Sequence, residues 1–182
     1  MVSNTLNAWA TFRFALSYPD DRHRDRLAAL FAGVPARVED LRAQYIQLFE
    51  AGLPQPKCPL LESAYAVNRS SGEIVLENKM FYQNFGLKLD SRAAPDHLLT
   101  QLEFLAWLDH CIAAGNADRD GFARARREFL ERHVANWMPA AARLIRRHTD
   151  GCYASLLRAL SAEVAFSLTQ NDVDLQVPPG SR

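Results

Sequence analysis

The chain has 182 residues, 48% of them hydrophobic, enough to bury a sizeable core within one domain. Its 21 basic residues are matched by 21 acidic ones, with 10 of each in residues 1–91 and 11 of each in 92–182, which excludes nucleic acid or another polyanion as a partner. Cys58, Cys111 and Cys152 are scattered without a C-x-x-C pair, which excludes a disulfide frame and a zinc site and suits a reducing compartment.

Residues 1–17 have no uninterrupted apolar run and no basic lead-in, so they read as neither a signal peptide nor a membrane span. Leu6, Trp9, Ala10, Phe12, Phe14 and Leu16 predict a buried first helix instead. Tyr18-Pro19-Asp20-Asp21 stops it and opens a second helix over residues 22–31, with Leu27, Leu30 and Phe31 inward. A third helix follows Gly33-Val34-Pro35, with Val38, Leu41, Tyr45, Leu48 and Phe49 three or four residues apart, and closes at Gly52. Pro54, Pro56 and Pro59 then forbid a helix and set an extended loop running to Tyr65, apolar enough to pack on the core or to form a groove wall.

After a polar turn at 68–72, residues 74–85 read as a helix ending at Gly86. The next helix, about 95–113, organises the rest. Pro95 suits a first helical position, and Asp96 complements the positive end of the helix dipole. Leu98, Leu99, Leu102, Leu105, Ala106 and Ile112 fill one face, which Phe104, Leu108 and Cys111 extend. Only Asp96, Glu103 and His110, with Thr100 alongside, form a polar stripe, so the helix is expected at the centre of the domain. His97 falls off that stripe, beside Gln101, and reads either as a hydrogen-bonded histidine at a helix start or as a site residue. After a polar break at 113–120, a helix over 121–136 turns Phe122, Ala125, Phe129, Val134 and Trp137 inward and shows a solvated face of Arg124, Arg126, Arg127 and Arg132 against Glu128 and Glu131. Two last helices, about 140–147 and 151–168, precede a tail from Gln170 that is expected to be disordered. The resulting expectation is an all-α single domain over 1–169, built around a buried central helix, with a tail over 170–182.

Five segments in order carry a family resemblance: Tyr45-Ile46-Gln47-Leu48-Phe49-Glu50-Ala51-Gly52, Glu62-Ser63-Ala64-Tyr65 closing the proline-rich loop, Phe81-Tyr82-Gln83-Asn84-Phe85-Gly86-Leu87, Pro95-Asp96-His97 followed by Leu102-Glu103-Phe104-Leu105-Ala106, and Phe129 to Pro139. Together they resemble the TorD/DmsD/NarJ family of redox-enzyme maturation chaperones. Departures stand at Gln101 for an acid, at Leu60-Leu61 for an aromatic and at Ala141 for an aromatic, and they bear on the branch and the pocket shape. The resemblance implies an all-helical cytoplasmic chaperone, not an enzyme. Such a protein binds the N-terminal, twin-arginine type signal peptide of a molybdenum-cofactor oxidoreductase and assists its folding, cofactor insertion and export proofreading. Its partner would be that enzyme's catalytic subunit, with no nucleic acid and no stable membrane insertion, and the protein itself a monomer or homodimer. By the same resemblance, peptide binding falls to Tyr45, Phe49, Pro59, Glu62, Ser63, Tyr65, Asp96 and His97. No cofactor and no metal are expected.

No phosphate-binding glycine loop is present. The enzyme alternative is a metal-dependent hydrolase assembled from Asp96, His97, Glu103 and His133, with Glu62 near them. It lacks the E-x-x-H pairs at helical spacing that helical-bundle metal sites use.

Overall fold

The computed structural model describes residues 7–115 and 118–174, the last four by backbone alone. The described chain is carried by α1 (Ala8–Ala15), α2 (Asp21–Ala28), α3 (Val38–Tyr45), α4 (Ser71–Asn84), α5 (Leu98–Ala113), α6 (Arg119–Phe129), α7 (Ala135–Ile145) and α8 (Cys152–Asp174). Two π-helical turns, Ile46–Glu50 and Leu130–Val134, continue α3 and join α6 to α7, and Glu62–Tyr65 forms a short 3-10 turn. Among the described residues there is no strand, only an isolated antiparallel bridge between Leu61 and His97. The fold is all-α.

α5 sits where its sequence places it. Leu98, Leu102, Leu105 and Leu108 are fully buried and Phe104 and Cys111 nearly so, while Glu103 and His110 stay in solvent. α1 and α6 pack on α5, and α7 packs along α8. Each buried leucine is worth about 1.5–3 kcal/mol over an exposed one, so this one helix anchors much of the apolar gain.

The start of α5 differs from the sequence expectation. Pro95 and Asp96 precede the helix, which begins at Leu98 with His97 as its cap, Nδ1 accepting the Leu99 N–H at 3.2 Å. The cause is a competing set of backbone bonds. The Glu62 N–H donates to the Asp96 carbonyl (3.0 Å) and the Leu98 N–H to the Leu60 carbonyl (2.8 Å), holding His97 extended against the proline-rich loop after a turn at 94–97. That loop leaves the π turn at Gly52, whose φ of +149° suits glycine alone; a Cβ there would strike the Gln55 carbonyl.

Three other expectations are corrected. Leu30 lies beyond the end of α2 and is 60% exposed, and Ala10 also faces solvent. The expected break between helices at 137–139 is absent: α6, the π turn and α7 run on from Arg119 to Ile145 with Pro139 inside α7. The proline removes one backbone donor, but Trp137, Met138, Ala141 and Ile145 are buried on both sides of it, and their packing keeps the helix. α8 extends through Asp174 rather than ending near Leu168. The rest of the expected tail, 175–182, lies outside the described residues. Of the face expected in solvent, Arg127 pairs with Glu131 and Arg132 with Glu128, each at 2.8 Å, while Arg126 departs from it, its side chain 15% exposed and paired with Asp109 of α5.

Candidate functional site

The proline-rich loop, α4, the start of α5 and the α6–α7 helix meet around one buried carboxylate. Glu62 opens the 3-10 turn and is 3% exposed. Its Oε2 accepts from Asn78 Nδ2 of α4 (2.9 Å) and from Gln101 Nε2 of α5 (2.7 Å). His133, on the π turn, places Nδ1 3.1 Å from both Glu62 oxygens. Asn78 Nδ2 also donates to the Ile74 carbonyl at 3.0 Å and stands 3.0 Å from His133 Nδ1. A buried carboxylate is costly unless several donors replace its water, and here three side chains supply them.

The network continues outward. Gln101 Nε2 also donates to Asn78 Oδ1 (3.1 Å), and Gln101 Oε1 accepts from Trp137 Nε1 at 3.3 Å. The Tyr82 hydroxyl donates to the Pro95 carbonyl at 2.7 Å, with Asn78 Oδ1 at 3.3 Å. Burial first, then the charges of Glu62 and Asp96, push the Tyr82 phenol far above its ordinary value, so it remains a donor. His133 Nε2 is the one polar atom of the cluster with no hydrogen-bond partner, its ring lying against Phe81 and Phe129 at centroid distances of 5.4 and 4.9 Å.

Asp96, 3% exposed, holds the same junction from the other side, its Oδ2 accepting the Ser63 N–H at 3.1 Å. His97 is half-buried next to it; burial lowers its pKa from 6.5, with Asp96 opposing. Tyr65 stacks on Trp137 (centroids 5.2 Å apart, planes at 27°) and its hydroxyl meets Cys58 Sγ at 3.4 Å. Burial pushes both of those groups up.

The eight residues singled out from sequence thus fall into two groups. Glu62, Ser63, Tyr65, Asp96 and His97 share the junction, and Pro59 is buried in the loop that leads to it. Tyr45 and Phe49 belong instead to an aromatic cluster, with rings 5.1 Å apart and Phe49 5.3 Å from Tyr153. There burial pushes the Tyr45 phenol up to about 12.

Sequence reasoning missed Asn78 and took Gln101 only as a departure. A signal existed in both cases. Ile74, Asn78 and Tyr82 recur every four residues, the spacing of one helix face, and Gln101 lies on the apolar side of α5. The residues of the hydrolase alternative do not converge: Glu103 points to solvent and pairs with Arg13 at 3.1 Å. Among the described residues no group of three or more His, Cys, Asp or Glu is placed to hold a metal ion.

Two depressions flank the 86–94 connection between α4 and α5. One, about 660 Å³, is lined by Val75, Lys79, Gln83, Leu87 and Pro95; the other, about 360 Å³, opens against Phe104 and Trp107 of α5. Tyr82 and Leu87 belong to both. No helix among the described residues is long and apolar enough to cross a membrane.

Comparison with known proteins gives a consistent picture. The model of a family described as nitrate reductase delta subunit matches residues 8–143. The chain is 38% identical over 150 residues to the selenate reductase assembly chaperone protein of Thauera selenatis, covering 79% of this chain and 77% of that one. It is 40% identical over 129 residues to the chlorate reductase assembly chaperone protein of Ideonella dechloratans, covering 68% and 67%. A 69-residue stretch, 38% of this chain and 29% of the other, is 38% identical to the nitrate reductase molybdenum cofactor assembly chaperone NarJ of Escherichia coli strain K12. In shape the chain matches a redox enzyme maturation protein from Archaeoglobus fulgidus, with a TM-score of 0.60 at 20% identity, over 87% of this chain and 93% of that one.

Proposed function

Because the chain belongs to the nitrate reductase delta subunit family, we propose that it is an assembly chaperone for a molybdenum reductase and that it acts by holding the N-terminal signal peptide of that enzyme's catalytic subunit. It is a chaperone rather than an enzyme: the relatives are named as assembly chaperones of selenate, chlorate and perchlorate reductases and of dimethyl sulfide dehydrogenase. Holding the peptide keeps the client from export until its cofactor is inserted, which places the work in the cytoplasm.

The observation that supports the peptide-holding part is the junction itself. Glu62 and Asp96 spend their oxygens inside the protein, on Asn78, Gln101, His133 and the Ser63 N–H. Handing Glu62 to a client would strand Asn78, Gln101 and His133, and handing over Asp96 would strand the Ser63 N–H, at about 1–3 kcal/mol for each donor. These two residues therefore act by fixing the loop against α5. The peptide rests on what that fixing shapes, namely the apolar depressions beside the 86–94 connection and the half-buried His97 and Ser63. An apolar run, helical or extended, is what such a surface accepts.

The test is a calorimetric titration of the purified protein with a synthetic twin-arginine signal peptide, two arginines followed by an apolar run, of the kind that opens an exported molybdenum reductase catalytic subunit. Saturable binding that vanishes when the apolar run is scrambled with serines is expected. Capture of the unfolded catalytic subunit without any binding of its N-terminal peptide would leave the chaperone role and remove the signal-peptide reading.

A further inference from the structure

Glu103 is the acid that the buried network leaves over. It stands on the solvent side of α5 with its side chain 64% exposed, at the edge of the depression of about 360 Å³ between α5 and the 86–94 connection. Leu87, Leu89, Phe104 and Trp107 give that depression an apolar floor, and Asp90 and Glu103 set carboxylates on its rim. Lys88 is the one base of that lining, so the two acids outnumber it once Glu103 is free of its ion pair with Arg13 of α1. Trp107 is half-buried, its ring nearly parallel to that of the buried Phe104 (6.0 Å apart at 13°), and it supplies the one partly open aromatic ring of this lining apart from the buried Tyr82 and Phe104, a group on which guanidinium planes stack. One guanidinium already meets the rim: Arg13 of α1 places Nη2 3.1 Å from Glu103 Oε2, with 46% of its own side chain exposed.

We propose that this groove receives a peptide whose apolar run lies on Leu87, Leu89 and Trp107 and whose arginine takes Glu103 in exchange for Arg13. The assignment rests on the signal-peptide reading above and locates the arginine contact on α5 rather than at Glu62 or Asp96. Arg13 is a stand-in: it neutralises Glu103 while the groove is empty and swings into water when a peptide arginine arrives. The exchange loses little, because a pair this open to solvent is weak. It couples to the junction through Tyr82, which lines the same groove and bonds the Pro95 carbonyl.

The test uses two peptides that share one apolar run, the first preceded by two arginines and the second by two glutamines. Both are titrated into the wild-type protein and into the Glu103→Gln and Arg13→Ala variants. Both substitutions are on exposed side chains, so unchanged circular dichroism and urea midpoints are the folding control. Wild-type protein is expected to favour the arginine peptide, and Glu103→Gln to erase most of that preference without weakening the glutamine peptide. Arg13→Ala is expected to tighten the arginine peptide about two- to fivefold, the scale of an exposed ion pair, and to leave the glutamine peptide unmoved. If both peptides bind but neither substitution changes their ratio, the groove assignment is overturned while the signal-peptide reading stands. If neither peptide binds wild-type protein, the signal-peptide reading falls and the groove assignment with it.

Discussion

His133 Nδ1 lies 3.1 Å from each carboxylate oxygen of Glu62, across 71 residues of sequence. The contact ties the proline-rich loop to the long helix that spans α6 and α7. Asn78 and Gln101 bring α4 and α5 to the same carboxylate. Four separate stretches of chain are therefore registered by one side chain, and the start of α5 is placed by them before any client arrives.

Removing Glu62 should be among the costliest polar changes in the protein. Glu62→Ala strands His133, Asn78 and Gln101 without their shared acceptor, and breaking a buried ionisable pair from one side costs about 3–5 kcal/mol. Glu62→Gln keeps the shape but turns a donor toward donors, at about 1–3 kcal/mol. Urea unfolding followed by circular dichroism reads both. A Glu62→Ala protein within about 1 kcal/mol of wild type, no more than one ordinary hydrogen bond, would mean that water replaces the acceptor and that the junction is not what fixes the loop.

How much of this was readable in the sequence depends on which force decides each element. The buried face of α5 was legible because Leu98, Leu102, Leu105 and Leu108 repeat at helical spacing and burial alone decides their place. The cap was not. Pro95-Asp96 has the composition of a first helical turn, but tertiary backbone bonds from Leu60 and Glu62 pull it out of the helix. Pro139 misled for a related reason, since buried side chains on both sides outweigh one missing donor. Glu62, Asp96 and His97 were found through motif resemblance, and spacing alone left His97 ambiguous. Asn78 was missed because an amide in mid-helix usually faces water, and only its partners, far away in sequence, reveal that it does not.

The start of α5 should separate stability from recognition. Leu102→Ala empties space in a closed core and should cost about 2–5 kcal/mol. Asp96→Ala should cost about 1–3 kcal/mol, since the buried carboxylate releases the Ser63 N–H. His97→Ala removes a helix cap worth about 1 kcal/mol. Denaturant midpoints give the order, and peptide titrations at a denaturant-free temperature give the second half of the expectation: Asp96→Ala and His97→Ala weaken the client peptide while folded. Unimpaired binding by both variants would make the junction purely structural.

His97 also sets a pH dependence. Burial lowers its folded pKa below 6.5, with Asp96 working against that shift. As pH falls through 6.5 the unfolded chain takes up the proton first, so stability is full above 6.5 and declines from there down to the depressed folded value. His97→Asn keeps a side chain suited to the cap and removes the titration. Unfolding midpoints at pH 7.5 and 5.5 should therefore lie closer together in His97→Asn than in wild type. Equal spacing in the two proteins would assign the slope to other groups.

The client peptide offers the sharpest comparison of forces. On the signal-peptide reading proposed above, replacing the two arginines of a twin-arginine peptide with lysines keeps both charges and loses only the fork geometry, so each pair forfeits part of a charged hydrogen bond worth about 1.5–3 kcal/mol in full. Glu103, the carboxylate open to it, is mostly in solvent, and water weakens the contact further. The apolar run gains about 1.5–3 kcal/mol for each leucine-sized side chain it buries, less the cost of ordering the peptide. Two central leucines changed to serine thus remove more than two arginines changed to lysine. Titrations should show a modest loss for the lysine peptide and near-complete loss for the serine peptide. The opposite ranking would mean that ion pairing rather than the groove holds the client, and that the carboxylates of the groove, Asp90 and Glu103, grip it more tightly than their exposure allows.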